Sequence, residues 1–230
     1  MADPTPKITD VASMLNDTNT NIRKYGTQLL AIADYDTEPP DEFWNADGTP
    51  KPVPDGYKIM GYITTDGIRQ TRSITTSNTE MVQDIDPVRT DVTARTHTLQ
   101  VEFGEANAWT KAAAHGVPVS EWPKEKDSDW EYTDSQVSDF PYVRLLILMQ
   151  DGVGDDAHYA IEFAYRAKIT AQGNRQANRT AVDGEDMTFT LFRDPDTGKI
   201  YYEAGHAAKK PGHEPASAST GSTPSTTPTK

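Results

Sequence analysis

The stretch Gly61–Gln83, GYITTDGIRQTRSITTSNTEMVQ, carries eight Ser or Thr among its 23 residues. A hydroxyl becomes a nucleophile only beside a base that takes its proton. The histidines that would supply one (His97, His115, His158, His206, His213) show no ligand or triad spacing, and no G-x-S-x-G elbow or Gly-rich phosphate loop stands elsewhere. Gly152–Ala157, GVGDDA, matches the dinucleotide fingerprint, but a period-2 strand follows where a helix is required, and Asp155 and Asp156 would repel phosphate. A hairpin loop is the better reading. Asp194 and Asp196 in DPDTGK begin like a calcium loop, yet the twelfth position is Gly205 where a bidentate Glu belongs. A type I turn explains the segment without an ion. There is no Cys, so thiolate metal sites and disulfides are excluded. The expectation is a chain that is not an enzyme and holds no cofactor.

Charge narrows the partners. The 230-residue chain has a formal net charge of −13, which argues against any surface that grips a phosphate backbone. No basic leader precedes an apolar run, and the longest strongly apolar run is Leu145–Met149, so no membrane segment is expected. Trp44, Trp122 and Trp130 sit in loop-like segments, where they either line a carbohydrate site or plug sheet ends.

The elements that would position these residues are mostly strands. Gly26–Asp34, Gly56–Thr64, Val88–Gly104, Pro141–Gln150 and His158–Thr170 are β-prone, and Glu185–Gly205 reads as a hairpin turned by DPDTG. In His158–Thr170, the odd positions from Tyr159 to Ile169 share one face, with Glu162, Arg166 and Lys168 opposite. Ala106–Gly116 is the convincing helix, with Gly116 at C′ and His115 at its C-terminal end. The fold class expected is mainly β with one flanking α-helix, an antiparallel sandwich or barrel. Residues 1–24 form an N-terminal arm, 25–205 the body, and 206–230 a Pro/Ser/Thr-rich tail with too little apolar surface to order itself.

The ordered series IRKYGTQLLAIADYDTEPPDE, GYKIMGYITTDGI, VRTDVTARTHTLQVEFGEANA, VRLLILMQDG, HYAIEFAYRAKIT and DMTFTLFRDPDTG resembles the major tail tube proteins of long-tailed (siphovirus-type) phages, especially of actinobacterial hosts. The resemblance spans about Ile22–Gly205, with its most specific piece at Gly61–Ile68; relatives place an aromatic before Gln83, where this chain has Met81 and Val82. It implies a β-sandwich of the tail tube type, and a structural virion protein made in the host cytoplasm. Six copies would form a ring, and rings would stack around a tape-measure protein, with tail terminator and tail tip proteins at the ends. DNA would pass through the lumen unbound, and an acidic wall would let it slide; strand alternation offers Glu102 and Glu162 as lumen-facing acids. The alternative is an acidic recognition module that binds carbohydrate or a host surface through its loop tryptophans.

The hydroxyl-rich stretch then reads as an assembly element. Tyr62 and Ile63 end a strand, Asp66-Gly67 turns it, and Ile68–Ser77 extends as polar β-structure. Ile68, Arg69, Arg72, Ile74, Met81 and Val82 are the expected inter-subunit contacts, loose in the free subunit and ordered on assembly.

Overall fold

The computed structural model describes residues 21–133 and 139–207. Most of the expected N-terminal arm, and the tail beyond residue 207, lie outside them. The described chain is mainly β with one α-helix and an antiparallel sheet, as the strand-dominated sequence requires. Its elements are β1 (Thr27–Asp34), β2 (Lys58–Ile59), β3 (Ile63–Met81), β4 (Asp84–Phe103), α1 (Ala108–Ala114), β5 (Val143–Asp151), β6 (His158–Gln172), β7 (Glu185–Leu191) and β8 (Tyr201–Ala207). The sheet runs in the order β2-β1-β5-β6-β7-β4-β3, and β8 also pairs with β6.

Residues from strands far apart in that order meet in one apolar cluster, so the sheet is rolled upon itself. Leu30 and Ile32 of β1, Leu145 and Ile147 of β5, and Met187 and Phe189 of β7 share this inner core with Leu99, Val101 and Phe103 of β4. A second core forms on the outer face, where the loop carrying Phe43, Trp44, Val53 and Tyr57 covers Ala31, Ala33, Leu146, Ile161 and Phe163. Both faces of β1 and β5 are therefore covered, which is why LLAIA and LLILM read as continuous apolar runs rather than alternating ones.

Three sequence expectations are corrected here. Residues 56–64 are not one strand: β2 stops at Ile59, Gly61 takes φ +99, and β3 starts at Ile63. Glu185–Gly205 is not a hairpin either. β7 and β8 both lie along the same edge of β6, β7 beside its second half and β8 beside its first, as two parts of one interrupted line. The DPDTG segment is an excursion from that line, entered where Phe192 N–H donates to Arg166 O (2.8 Å) and left where Tyr165 N–H donates to Ile200 O (3.1 Å). β8 runs to Ala207, which pairs with His158.

The third correction concerns β6. Its register against β5 slips between Leu145↔Ala164 and Val143↔Ala167. Ile161, Phe163 and Tyr165 face the outer core, whereas Ala164, Ala167 and Ile169 face the inner one. The bulge exchanges the faces, so strict alternation over the whole strand fails.

At this bulge a buried polar cluster joins two loops, the one after β1 and the 192–200 excursion, to the sheet. Arg144 donates from Nε to Tyr35 O (2.9 Å) and Thr37 O (2.8 Å), and from Nη1 to Tyr165 O (2.7 Å). Asp194, fully buried, lies 3.7 Å from Arg144 Nη1 and accepts from Tyr35 Oη (2.7 Å), Thr197 Oγ1 (2.8 Å) and Asp196 N–H (3.1 Å). Burial pushes its carboxyl up, but these donors and the guanidinium charge more than offset that and hold it below the usual carboxylate range. The hydrogen bond to Asp194 in turn pushes the Tyr35 phenol up to about 12.

The helix packs against the rolled sheet beside β7. Asn107 caps it, its side chain accepting from Trp109 and Thr110 N–H (3.0 Å each), while Thr110 Oγ1 accepts from Asn107 N–H (3.0 Å). The Asn107 amide also donates to Met60 O (3.1 Å), tying the cap to the segment before β3. Gly116 takes φ +69 at C′ as expected, with His115 at the C-cap and its ring stacked on Tyr132. Asn107→Ala is expected to cost about 1–2 kcal/mol, read by urea denaturation. A loss below about 0.3 kcal/mol would show that the cap is redundant, given the usual range for such caps.

Candidate assembly arm and its root

β3 and β4 form a hairpin of 19 and 20 residues, far longer than any other pair in the sheet. Only its root belongs to the body. β7 flanks β4 from Phe103 back to Thr98 and no further, and every residue from Arg69 to Thr90 is exposed. Asp66-Gly67 does not reverse the chain. Gly67 takes φ +69 within a bulge between Ile63↔Phe103 and Ile68↔Val101, close against the Gln28 amide. The strand bends there and continues. The reversal comes at the tip, where Val82 and Gln83 connect the Met81↔Asp84 pair.

Alternation explains the hydroxyl-rich composition. The odd positions of β3 from Thr71 to Thr79 (Thr71, Ser73, Thr75, Ser77, Thr79) are all hydroxyl residues and share one face. That face continues across the sheet through the row Thr71↔Thr98↔Thr190↔Lys168, with the Thr170 and Thr190 hydroxyls 2.7 Å apart. The opposite face extends the inner core outward. Ile68 packs against that core, while Ile74, Val88 and Val92 continue the face into solvent at 61, 48 and 52% exposure. Met81 (52%), Val82 (101%) and Ile85 (101%) crowd the tip. Such a stripe on an otherwise polar arm is what a contact surface looks like.

Charge sets the arm apart from the rest of the chain. Between residues 69 and 97, Arg69, Arg72, Arg89 and Arg95 balance Glu80, Asp84, Asp86 and Asp91, so the −13 resides elsewhere. All four cations are arginine, whose planar fork suits interfaces better than lysine.

The sequence-selected residues fall into distinct places. Arg69 pairs with Asp66 (2.7 Å) on the hydroxyl face, and Arg72 pairs with Glu203 of β8 (2.8 Å) on the other. Glu102 lies on the hydroxyl face, where it accepts from Thr64 Oγ1 (3.4 Å) and lines a small cleft with Asp66, Arg69, Gln100 and Asp186. Glu162 does not join it. It precedes the β6 bulge, shares the inner face with Ala164, and accepts a short hydrogen bond from Tyr201 Oη. Alternation assigned Glu162 a face, and the bulge placed that face inward.

Around Glu162 the root of the arm meets the body. Glu162 stands opposite Glu203 on β8, and Arg72 stands opposite His97 on the arm. Tyr201 lies between, with the Arg72 guanidinium 5.9 Å from its ring centre and the His97 ring edge-on at 4.7 Å. Burial pushes the Glu162 carboxyl up; the Tyr201 hydroxyl opposes this, Glu203 adds to it, and Arg72 opposes it. Burial likewise raises the Tyr201 phenol, with the hydrogen bond to Glu162 next. His97 is held below the usual histidine range by burial and then by Arg72, against the pull of Glu203, and its buried Nε2 has no hydrogen-bond partner among the described residues.

A histidine whose folded pKa is lowered contributes stability that is full above about pH 6.5 and falls as pH drops through the folded pKa. His158 is shifted in the same direction, by burial and then Arg23. Glu162 is shifted upward and works the other way, its contribution being lost as pH rises from about 4.5 through the folded pKa. His97→Gln is therefore expected to flatten the fall in melting temperature between pH 7 and 5.5. An unchanged slope would show that His97 titrates freely.

Other sequence features are absorbed by the fold. Gly152–Ala157 connects β5 to β6 as a hairpin loop, with a 3₁₀ turn at Gly154–Asp156. The indole N–H groups of Trp44, Trp109 and Trp122 donate to Tyr202 Oη, Pro123 O and Val117 O at 3.0, 2.8 and 2.8 Å. Trp122 is a buried plug, and Trp130 stacks on Tyr132. Among the described residues, no group of three or more His, Asp or Glu is placed to hold a metal, and no helix is long and apolar enough to cross a membrane. No protein-family model matches the chain, and no curated protein matches it significantly.

Proposed function

We propose that the chain is a structural, self-assembling subunit of a phage tail tube, its copies arranged in stacked rings with the hairpin arm as a principal contact. The observation that carries this reading is the arm itself, a hairpin of 19 and 20 residues that leaves the body and holds an apolar stripe in water. A free monomer gains nothing from exposing Ile74, Val88, Val92 and a tip of Met81, Val82 and Ile85.

The sheet supports ring formation independently. β6, β7, β4 and β3 form a four-stranded section in which each strand is antiparallel to the next. Its two borders, the outer side of β3 beyond Arg69 and the β5 side of β6 beyond Ala167, have no partner strand among the described residues. Because four is even, β3 of one copy runs antiparallel to β6 of the next, so one pairing rule continues from copy to copy. Such a head-to-tail contact closes into a ring and removes exposed edges. In the hexameric ring implied by the resemblance, the polar face of this section, with its Ser and Thr row and Glu102, lines the lumen. Hydroxyls with few free cations offer DNA hydration but no ion pairs. The tape-measure protein occupies that lumen during assembly, terminator and tip proteins close the ends, and the particle is the virion tail.

Negative-stain electron microscopy of concentrated protein tests this reading, with rings or hollow tubes as the expected result. A strict monomer at every concentration refutes it. Quenching of tryptophan fluorescence by a glycan in such a monomer would support the recognition-module alternative, which rests on the cleft lined by Phe43, Trp44, Tyr165 and Tyr202.

A further inference from the structure

We propose that Tyr201, Glu203 and Arg72 form a latch that fixes the direction of the hairpin arm in the free subunit. Its use in assembly rests on the tube reading, whereas the latch itself is a property of the single chain.

The arm loses its support partway along β4. β4 has β7 beside it as far as Thr98↔Thr190. β8 begins at Tyr201 and turns along the other half of β6, so the arm and β8 diverge like the prongs of a fork. Just beyond this fork, the first outward rung of the arm is Arg72↔His97. Arg72 reaches across the gap to Glu203 (2.8 Å) and lies over the Tyr201 ring, and the His97 ring meets the same ring edge-on. Tyr201 is itself held by its hydroxyl on Glu162, which belongs to the central strand β6. The chain of contacts thus runs from the body (Glu162) through a rigid ring (Tyr201) to both strands of the arm.

Two features make this a latch rather than ordinary packing. Arg72 and Glu203 are both more than half exposed, at 56 and 54%, so their pair is weak and exchangeable. Support from β7 ends at the Thr71↔Thr98↔Thr190 row, so the hairpin is two-stranded, and free to bend, from the Arg72↔His97 rung outward. A two-stranded arm with a weak ion pair at the point where its support ends has two accessible states, aligned and released. Alignment in the free subunit removes ordering cost from the encounter between copies.

The test uses the full chain, which has no Cys, so thiols introduced at Ser77→Cys on the arm and Ser120→Cys on the body take spin labels selectively. In that background the distance distribution between labels is expected to be narrow. Arg72→Glu and Glu203→Arg, each alone, broaden it by shifting the ratio of aligned to released arm about fivefold, the upper range for an exposed pair. Arg72→Glu with Glu203→Arg together restores the narrow distribution. Tyr201→Leu broadens it while the melting temperature of the body is followed in parallel, which separates loss of the platform from unfolding. Unchanged widths in the single variants overturn the proposal, as does a double variant as broad as either single. Light scattering then reads tube growth, which slows in Arg72→Glu and recovers in the double variant. Absence of tubes from the unaltered chain would refute the proposed function, yet leave the distance measurement to decide the latch.

Discussion

Asp194→Ala is expected to lower folding stability by about 3–5 kcal/mol, the cost of removing one member of a buried ion pair. In a chain of this size, each kcal/mol moves the melting temperature by about 2–4 °C. The loss has several parts. Tyr35 Oη, Thr197 Oγ1 and Asp196 N–H lose their acceptor, and the buried Arg144 guanidinium loses its only nearby carboxylate among the described contacts. Arg144 cannot respond by releasing a proton, because a guanidinium stays charged. Its hydrogen bonds to Tyr35, Thr37 and Tyr165 carbonyls also pin the start of the loop that covers the outer core. Asp196→Ala, which removes an exposed carboxylate two residues away, should change stability by less than about 0.5 kcal/mol. Guanidinium denaturation of the two variants side by side decides the matter. Equal effects would mean that the cluster is not cooperative.

Replacing residues 73–96 with Asn-Gly should abolish tube formation and leave a folded, soluble monomer. The excised residues are exposed almost throughout, so little of either core goes with them. Asn-Gly supplies the positive φ angles of a two-residue hairpin turn and closes the Arg72↔His97 rung. The expected readouts are a melting temperature within a few degrees of the full chain, loss of tubes by electron microscopy, and loss of growth by light scattering. Tubes of normal yield without the arm would move the assembly contact to the borders of the four-stranded section alone.

Much of the body is legible in the sequence, for a physical reason that also marks where legibility ends. LLAIA and LLILM announce β1 and β5 because both of their faces are covered, and Asn107 and Gly116 bracket α1 with their capping chemistry. The strands that were misread depend on pairing rather than composition. β7 and β8 look like a hairpin because a turn sequence separates two β-prone runs, but whether two runs pair with each other or side by side on a third is a tertiary choice. Glu162 was assigned to an open face because nothing local reports a bulge. The arm had a readable signal after all: five hydroxyl residues at alternate positions, Thr71 to Thr79, describe a long strand with one polar face. Their uniform polarity, with Ile74 as the sole large apolar residue between Arg69 and Glu80, marks polar β-structure but reports neither its full length nor its pairing with β4.

The interrupted line of β7 and β8 has a consequence for how this surface can change. Arg166 and Tyr165 are neighbours on β6, and each accepts or donates one backbone bond at opposite ends of the 192–200 excursion. The two ends of that segment are therefore clamped a single residue apart by the sheet, whatever lies between them. A closed segment of this kind can grow at modest cost, about 0.6 kcal/mol for each doubling of its length. Residues inserted at Thr197-Gly198, beyond the buried Asp194, leave both clamps in register. The excursion is thus a socket into which evolution, or a laboratory, can splice a new appendage without renegotiating the strands on either side of it.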